Sequence, residues 1–167
     1  MIQVYTGNGK GKTTAALGLA VRAAGAGLKV FIGQFAKGRD YSELSVLKKI
    51  KNIKVGQFGS ACFIKKIPDK KDIALAESGL ERIKKIIDKR IYDVVILDEI
   101  NIAIKLKLLK LKDIIGLIKT SPKKTELVLT GRYAHPKIIK IADLVSEVKD
   151  IKHYYKKGTK ARRGIEF

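Results

Sequence analysis

The sequence predicts an α/β fold with a mostly parallel central sheet flanked by helices, as one domain over residues 1-167. Short apolar runs alternate with segments of helical periodicity, the pattern of strand–helix–strand units whose crossovers make neighbouring strands parallel. The first apolar run ends in a glycine-rich turn, "TGNGKGKTT", and a later one, "VVILDE", ends in two acids. In such sheets ligands bind beyond the carboxyl ends of the strands, where both features fall.

Taken in order, "MIQVYT" is a short apolar run stopped by glycine and reads as a buried strand. Thr13 to Ala24 is rich in Ala and Leu and stops at "GAG", a glycine helix end. "KVFIGQF" is the second strand. Leu44, Leu47 and Ile50 share one helical face in residues 41–50, and "IKVGQF" follows as a strand. A loop over residues 59–69 leads to a helix from Asp72 to Lys89, with Ile73, Ala76, Leu80, Ile83 and Ile87 in helical period. Its acids come early and its bases late, as the helix dipole favours. "YDVVILDE" and "TELVLTGR" are strands, "HPKIIKIA" a short helix and "DLVSEVKD" a last strand.

The composition is globular, with 46% hydrophobic and 31% charged residues in 167. No apolar run approaches the roughly 20 residues of a membrane span, and no signal peptide is evident. Cys62 is the single cysteine, which excludes an internal disulfide framework and a cysteine-based zinc site. A soluble cytoplasmic protein is expected. The net charge of +20 has two readings: an electrostatic funnel for an anionic partner, or a lysine-rich composition spread over solvated faces. The lysines are scattered, and neither a basic recognition helix nor an aromatic stacking strip accompanies them, which argues against nucleic acid as partner.

The turn is close to the standard phosphate loop G-x-x-x-x-G-K-[ST], whose backbone N–H groups wrap phosphate at a helix N-terminus. Gly11, Lys12 and Thr13 match its end, while Thr6 holds the slot of the first glycine and Gly7 comes one place late. In this pattern the N–H groups of residues 8–13 bind phosphate oxygens, Lys12 neutralises their charge and the Thr13 hydroxyl ligates Mg²⁺. Asp98 and Glu99, ending a buried strand, either anchor Mg²⁺ or cap the helix starting near Asn101. Arg132 either faces phosphates or makes a surface salt bridge. His135 and His153 read as structural or solvated, and Cys62 as a small apolar residue.

Four stretches, "YTGNGKGKTTAALGLAVRAAGAG", "VVILDEINIAI", "LVLTGRYAHPKIIKIADLVSEVK" and "VKDIKHYYKKGTKARRGIEF", resemble the P-loop ATP:corrinoid adenosyltransferases in the same order, from residue 2 to the C-terminus. The resemblance implies a three-layer P-loop NTPase-type (recombinase-like) fold. It also implies an activity: a corrinoid cobalt, reduced to Co(I), attacks the 5′ carbon of an ATP held in reverse orientation, and triphosphate is released. By the same resemblance Gly7, Asn8, Gly9, Lys10, Gly11, Lys12, Thr13 and Thr14 bind ATP, and Arg22 and Arg132 lie near the nucleotide. Thr13 and Glu99 hold Mg²⁺ with Asp98 supporting, and Lys12 is the main side chain stabilising the leaving group, with Arg132 a candidate for the same work. Better-known members carry a Trp in the loop matching residues 59–64, where aromatic residues displace the lower axial ligand of cobalt. This chain has no Trp, so Phe63, with Phe58, is the candidate for part of that work. A homodimer and a reduced-flavin or flavodoxin electron donor are further implications. A small-molecule kinase, a nucleic-acid-dependent ATPase and a non-catalytic nucleotide-binding module remain as alternatives on the residues alone.

Overall fold

The computed structural model describes residues 1–38, 41–60 and 68–167. Six strands form its sheet: β1 (Ile2–Thr6), β2 (Val30–Phe35), β3 (Ile53–Phe58), β4 (Val94–Asp98), β5 (Glu126–Thr130) and β6 (Leu144–Glu147). Their order is β3-β2-β4-β5-β1-β6, and every pairing is parallel. The expectation of a mostly parallel sheet is met by a wholly parallel one among the described residues. β2 and β4 are buried along their whole length, which is why they read as near-continuous apolar runs.

Among the described residues six helices cover the two faces: α1 (Lys12–Gly25), α2 (Ser42–Leu47), α3 (Lys70–Lys89), α4 (Ile100–Lys105), α5 (Leu111–Thr120) and α6 (Pro136–Ile141). Successive strand residues point to opposite faces, so each central strand feeds two cores. Val30, Ile32, Val94, Ile96 and Val128 pack with Ala16, Ala20 and Ala23 of α1. Phe31, Phe35, Val95, Leu97, Leu127 and Leu129 pack with α3 to α6 through Leu80, Ile83, Ala103, Ile114, Leu117 and Ile138. This is the three-layer P-loop-type arrangement. β5 is inserted between the strand that ends in the phosphate loop and the strand that ends in the acids.

Helix α5 has no counterpart among the elements read from the sequence. Lysines crowd "IKLKLLKLKD", which runs into its first turn, and draw attention to charge. Yet Leu111, Ile114, Ile115 and Ile118 share one face, and Ile114, Leu117 and Ile118 are buried. The α3 helix begins slightly earlier than its periodicity suggests, because Asp69 and Asp72 form a reciprocal capping box. No helix among the described residues is long and apolar enough to cross a membrane.

Phe58 lies in the core, 7% exposed, with its ring tilted against Phe35 at 5.3 Å. Gly79 lets α3 come down onto it: a Cβ there would sit 2.6 Å from the Phe58 Cβ. Gly116 in α5 has open space at the same position. Gly79→Ala should therefore cost about 2 kcal/mol by overpacking. Gly116→Ala should gain about 0.7 kcal/mol by stiffening the unfolded chain. Urea unfolding of the two variants checks both signs.

Candidate functional site

Four strands leave the carboxyl edge of the sheet through left-handed turns: Gly7 (φ 96) after β1, Ala36 (φ 53) after β2, Glu99 (φ 60) after β4 and Gly131 (φ 123) after β5. Ala36 and Glu99 pay for this in backbone strain, and such strain clusters at functional sites. Beyond these turns lies a cavity of about 960 Å³, lined by the loop residues Gly9 to Thr14 and by Lys37, Glu99, Arg132 and Tyr133, with His153 and Gly164–Phe167 from the C-terminal segment.

Beneath it, on the α1 side of the sheet, a polar row crosses four strands. Gln34 of β2 pairs in register with Gln57 of β3 and Asp98 of β4. Thr130 of β5 follows Leu129, the register partner of Leu97. Asp98 is 1% exposed, and its oxygens are satisfied from three elements. Oδ1 accepts from the Thr13 hydroxyl at 2.9 Å and from the Thr130 hydroxyl at 2.7 Å, and Oδ2 accepts from Lys37 Nζ at 2.7 Å. Thr130 Oγ1 in turn accepts the Glu99 N–H at 3.0 Å, which holds the second acid above the first.

The loop is held from outside. The Gly9 N–H donates to the Val148 carbonyl at 2.7 Å and the Val148 N–H to the Thr6 carbonyl at 2.8 Å, so the chain leaving β6 buttresses the turn. A Cβ on Gly9 would lie 2.7 Å from the Lys149 carbonyl oxygen. Lys12 is buried and donates to the Gly9 carbonyl at 2.5 Å. Burial, and then the nearby Arg132, lower its pKa. Burial raises that of Glu99, with Asp98 adding to the effect. Burial also works against the charge on Lys37, but Asp98 more than offsets it and the pKa is raised.

Lys10 turns away from the cavity centre to the C-terminal segment, donating to Tyr154 Oη and Glu166 Oε1, each at 2.8 Å. Tyr154 Oη donates to the same carboxylate, and the Ser42 hydroxyl to the Phe167 carbonyl at 3.0 Å. Residues 154–167 thus close one side of the cavity.

Of the residues singled out from the sequence, Gly9, Lys10, Gly11, Lys12, Thr13, Thr14, Glu99 and Arg132 line the cavity, and Asp98 lies beneath it. Gly7 and Asn8 do not line it. Gly7 makes the left-handed turn and packs against Val148. Arg22 does not reach it either: it is exposed in the last turn of α1, about 15 Å along the helix from Lys12. Phe58 is a core residue, and Cys62 and Phe63 lie outside the described residues. His135 and His153 use Nδ1 to accept the N–H of Lys137 and of Tyr155, capping α6 and the short 3-10 turn Tyr154–Lys157. Asp98 and Glu99 are therefore more than a cap for α4.

Lys37 and Thr130 are what the sequence reading passes over. Thr130 has a signal, since it stands in the strand position that faces the same side as Val128, beside an acid-ended strand. Lys37 has none, because only the Ala36 turn aims it back at Asp98. Thr130→Val keeps the shape but leaves Asp98 Oδ1 with the Thr13 hydroxyl alone and the Glu99 N–H without its partner. It should cost about 2 kcal/mol in urea unfolding, most of it recovered by Thr130→Ser.

The whole chain, residues 1–167, matches the family described as ATP:corrinoid adenosyltransferase BtuR/CobO/CobP. A corrinoid adenosyltransferase of Sinorhizobium sp is 35% identical, over 100% of this chain and 80% of the relative. One from Pseudomonas aeruginosa is 34% identical, over 100% of this chain and 83% of the relative. One from Escherichia coli is 32% identical, over 100% and 85%. A match along the entire length, on a parallel sheet with its phosphate loop and paired acids in place, means that the chain belongs to the ATP:corrinoid adenosyltransferase family.

Proposed function

We propose that this protein transfers the 5′-deoxyadenosyl group of ATP to the Co(I) centre of a corrinoid and releases triphosphate. The supporting observation is the make-up of the cavity: a phosphate loop, the buried Lys12, Arg132 and Glu99 converge, with Asp98 beneath them. His153, the imidazole on its wall, already has Nδ1 engaged as a cap. Such a site stabilises a polyanionic leaving group, and the nucleophile comes with the second substrate. The cobalt electron pair forms the bond to C5′ and the C5′–O bond breaks. That bond's electrons leave on the triphosphate, and the metal ends as alkylated Co(III).

The loop N–H groups of residues 10–13, Lys12 and Arg132 would face the charge that develops on the leaving oxygens, the Gly9 N–H being held by the Val148 carbonyl. The donor set fits Mg²⁺, a hard cation that takes one or two carboxylates together with phosphate oxygens. Thr13 and Glu99 would hold it, with Asp98 behind them, and it would neutralise charge on the phosphates. Lys37 balances the Asp98 charge meanwhile, at 2.7 Å.

Phe63 serves the corrinoid by helping to displace the lower axial ligand of cobalt. We extend the proposal to a cytoplasmic homodimer that takes electrons from reduced flavin or a flavodoxin. The net charge of +20 would favour an acidic donor.

Mg-ATP and chemically reduced cobalamin, mixed with the enzyme without oxygen, should yield adenosylcobalamin and inorganic triphosphate together. ADP or free phosphate forming equally with and without corrinoid would refute this chemistry. Lys12→Ala should lower kcat by about a hundredfold in the same assay. Phe63→Ala should impair turnover from Co(II) with a reductant far more than turnover from preformed Co(I); equal losses would remove Phe63 from that role.

A further inference from the structure

Tyr133 has a backbone conformation that its side chain opposes. Its φ is 64, in the left-handed region where a bulky residue is an outlier. Two other non-glycine residues at this rim share the strain, and each has a visible return. Ala36 turns the chain so that Lys37 meets Asp98, and Glu99 presents its N–H to Thr130. A glycine at position 133 would make the same turn unstrained, so what tyrosine adds is its ring. That ring is not buried: Tyr133 is 57% exposed, on the wall of the cavity that Lys12, Glu99 and Arg132 line. One face meets the Lys105 ammonium, 5.6 Å from the ring centroid.

We propose that the Tyr133 ring is the platform on which the adenine base of ATP stacks, a binding role that rests on the nucleotide reading of the cavity. Persistent strain in an exposed aromatic residue on a cavity wall points to a ligand that covers the ring. A purine has the matching shape, a flat π-face, and stacking of a base on one aromatic side chain is strong enough to offset the strain. Lys105 on one face draws electron density from the ring and suits an electron-rich base on the other. Ile102, from the first turn of α4, adds apolar surface beside it. A corrin ring is the poorer match, because its saturated rim carries substituents on both faces and its metal carries axial ligands.

The test compares Mg-ATP with Mg-tripolyphosphate, which lacks the base, by titration calorimetry on the full chain. Tyr133→Gly should weaken ATP about tenfold and leave tripolyphosphate unchanged. Its melting temperature should stay level or rise by about 2 °C, because the left-handed strain is gone. Tyr133→Phe should bind ATP as the parent does. An unchanged ATP affinity in Tyr133→Gly, with both ligands still bound, would overturn the stacking role alone. A raised KM for corrinoid with ATP affinity intact would assign the ring to the other substrate and equally overturn it. A parent protein that binds neither ligand would remove the nucleotide reading, and this proposal with it.

Discussion

Asp98 holds a carboxylate at 1% exposure at the end of a strand that is itself buried along its length, and such a group is tolerated only when its oxygens are satisfied. The partners come from three places: Thr13 at the start of α1, Thr130 at the end of β5 and Lys37 just beyond β2. Meeting that requirement sets the height of the phosphate loop over the sheet, the register of β5 against β4 and the path of the chain leaving β2. Removing any one of them leaves a buried charge underserved, which is why hydroxyls and an ammonium occupy these positions.

The strand order turns this local requirement into a site. With β5 between β1 and β4, the phosphate loop and the acids stand one strand apart, and Thr130 bridges the gap beneath them. Left-handed exits lift each chain away from the sheet edge before the next element begins, leaving room for a substrate above a firm polar floor. Glycine makes two of these turns at low cost; alanine and glutamate make the others under strain that the surrounding contacts sustain.

The outer walls are supplied by segments remote in sequence. The chain after β6 supports the loop through the Val148 carbonyl and the Thr6 carbonyl, so the turn depends on an edge strand whose four residues are all exposed. The C-terminal segment approaches from the other side and takes Lys10 by Tyr154 and Glu166. Of the two loop lysines, Lys12 is buried behind Gly9 and Lys10 is tied to this segment. Equal charge in neighbouring positions has therefore been given two different surroundings.

Much of this was legible in the residues themselves. Strand–helix alternation determined a parallel sheet, because a helix between two strands brings the second back beside the first in the same direction. The glycines with Lys12 and Thr13 determined a phosphate loop, since that backbone curvature and those donors recur in adjacent positions. The acids after "VVIL" marked the facing wall for the same local reason. Only the tertiary structure decided what depended on contacts between distant segments. It showed α5 buried by a face that its flanking lysines obscured, Arg22 carried away from the loop along its own helix, and Phe58 turned into the core by the close approach of Gly79. It also brought Lys37, Tyr133 and Glu166 to one cavity and Thr130 beneath it. Each of them is placed by a turn or a strand pairing across tens of residues, and periodicity in one segment carries no information about such pairings.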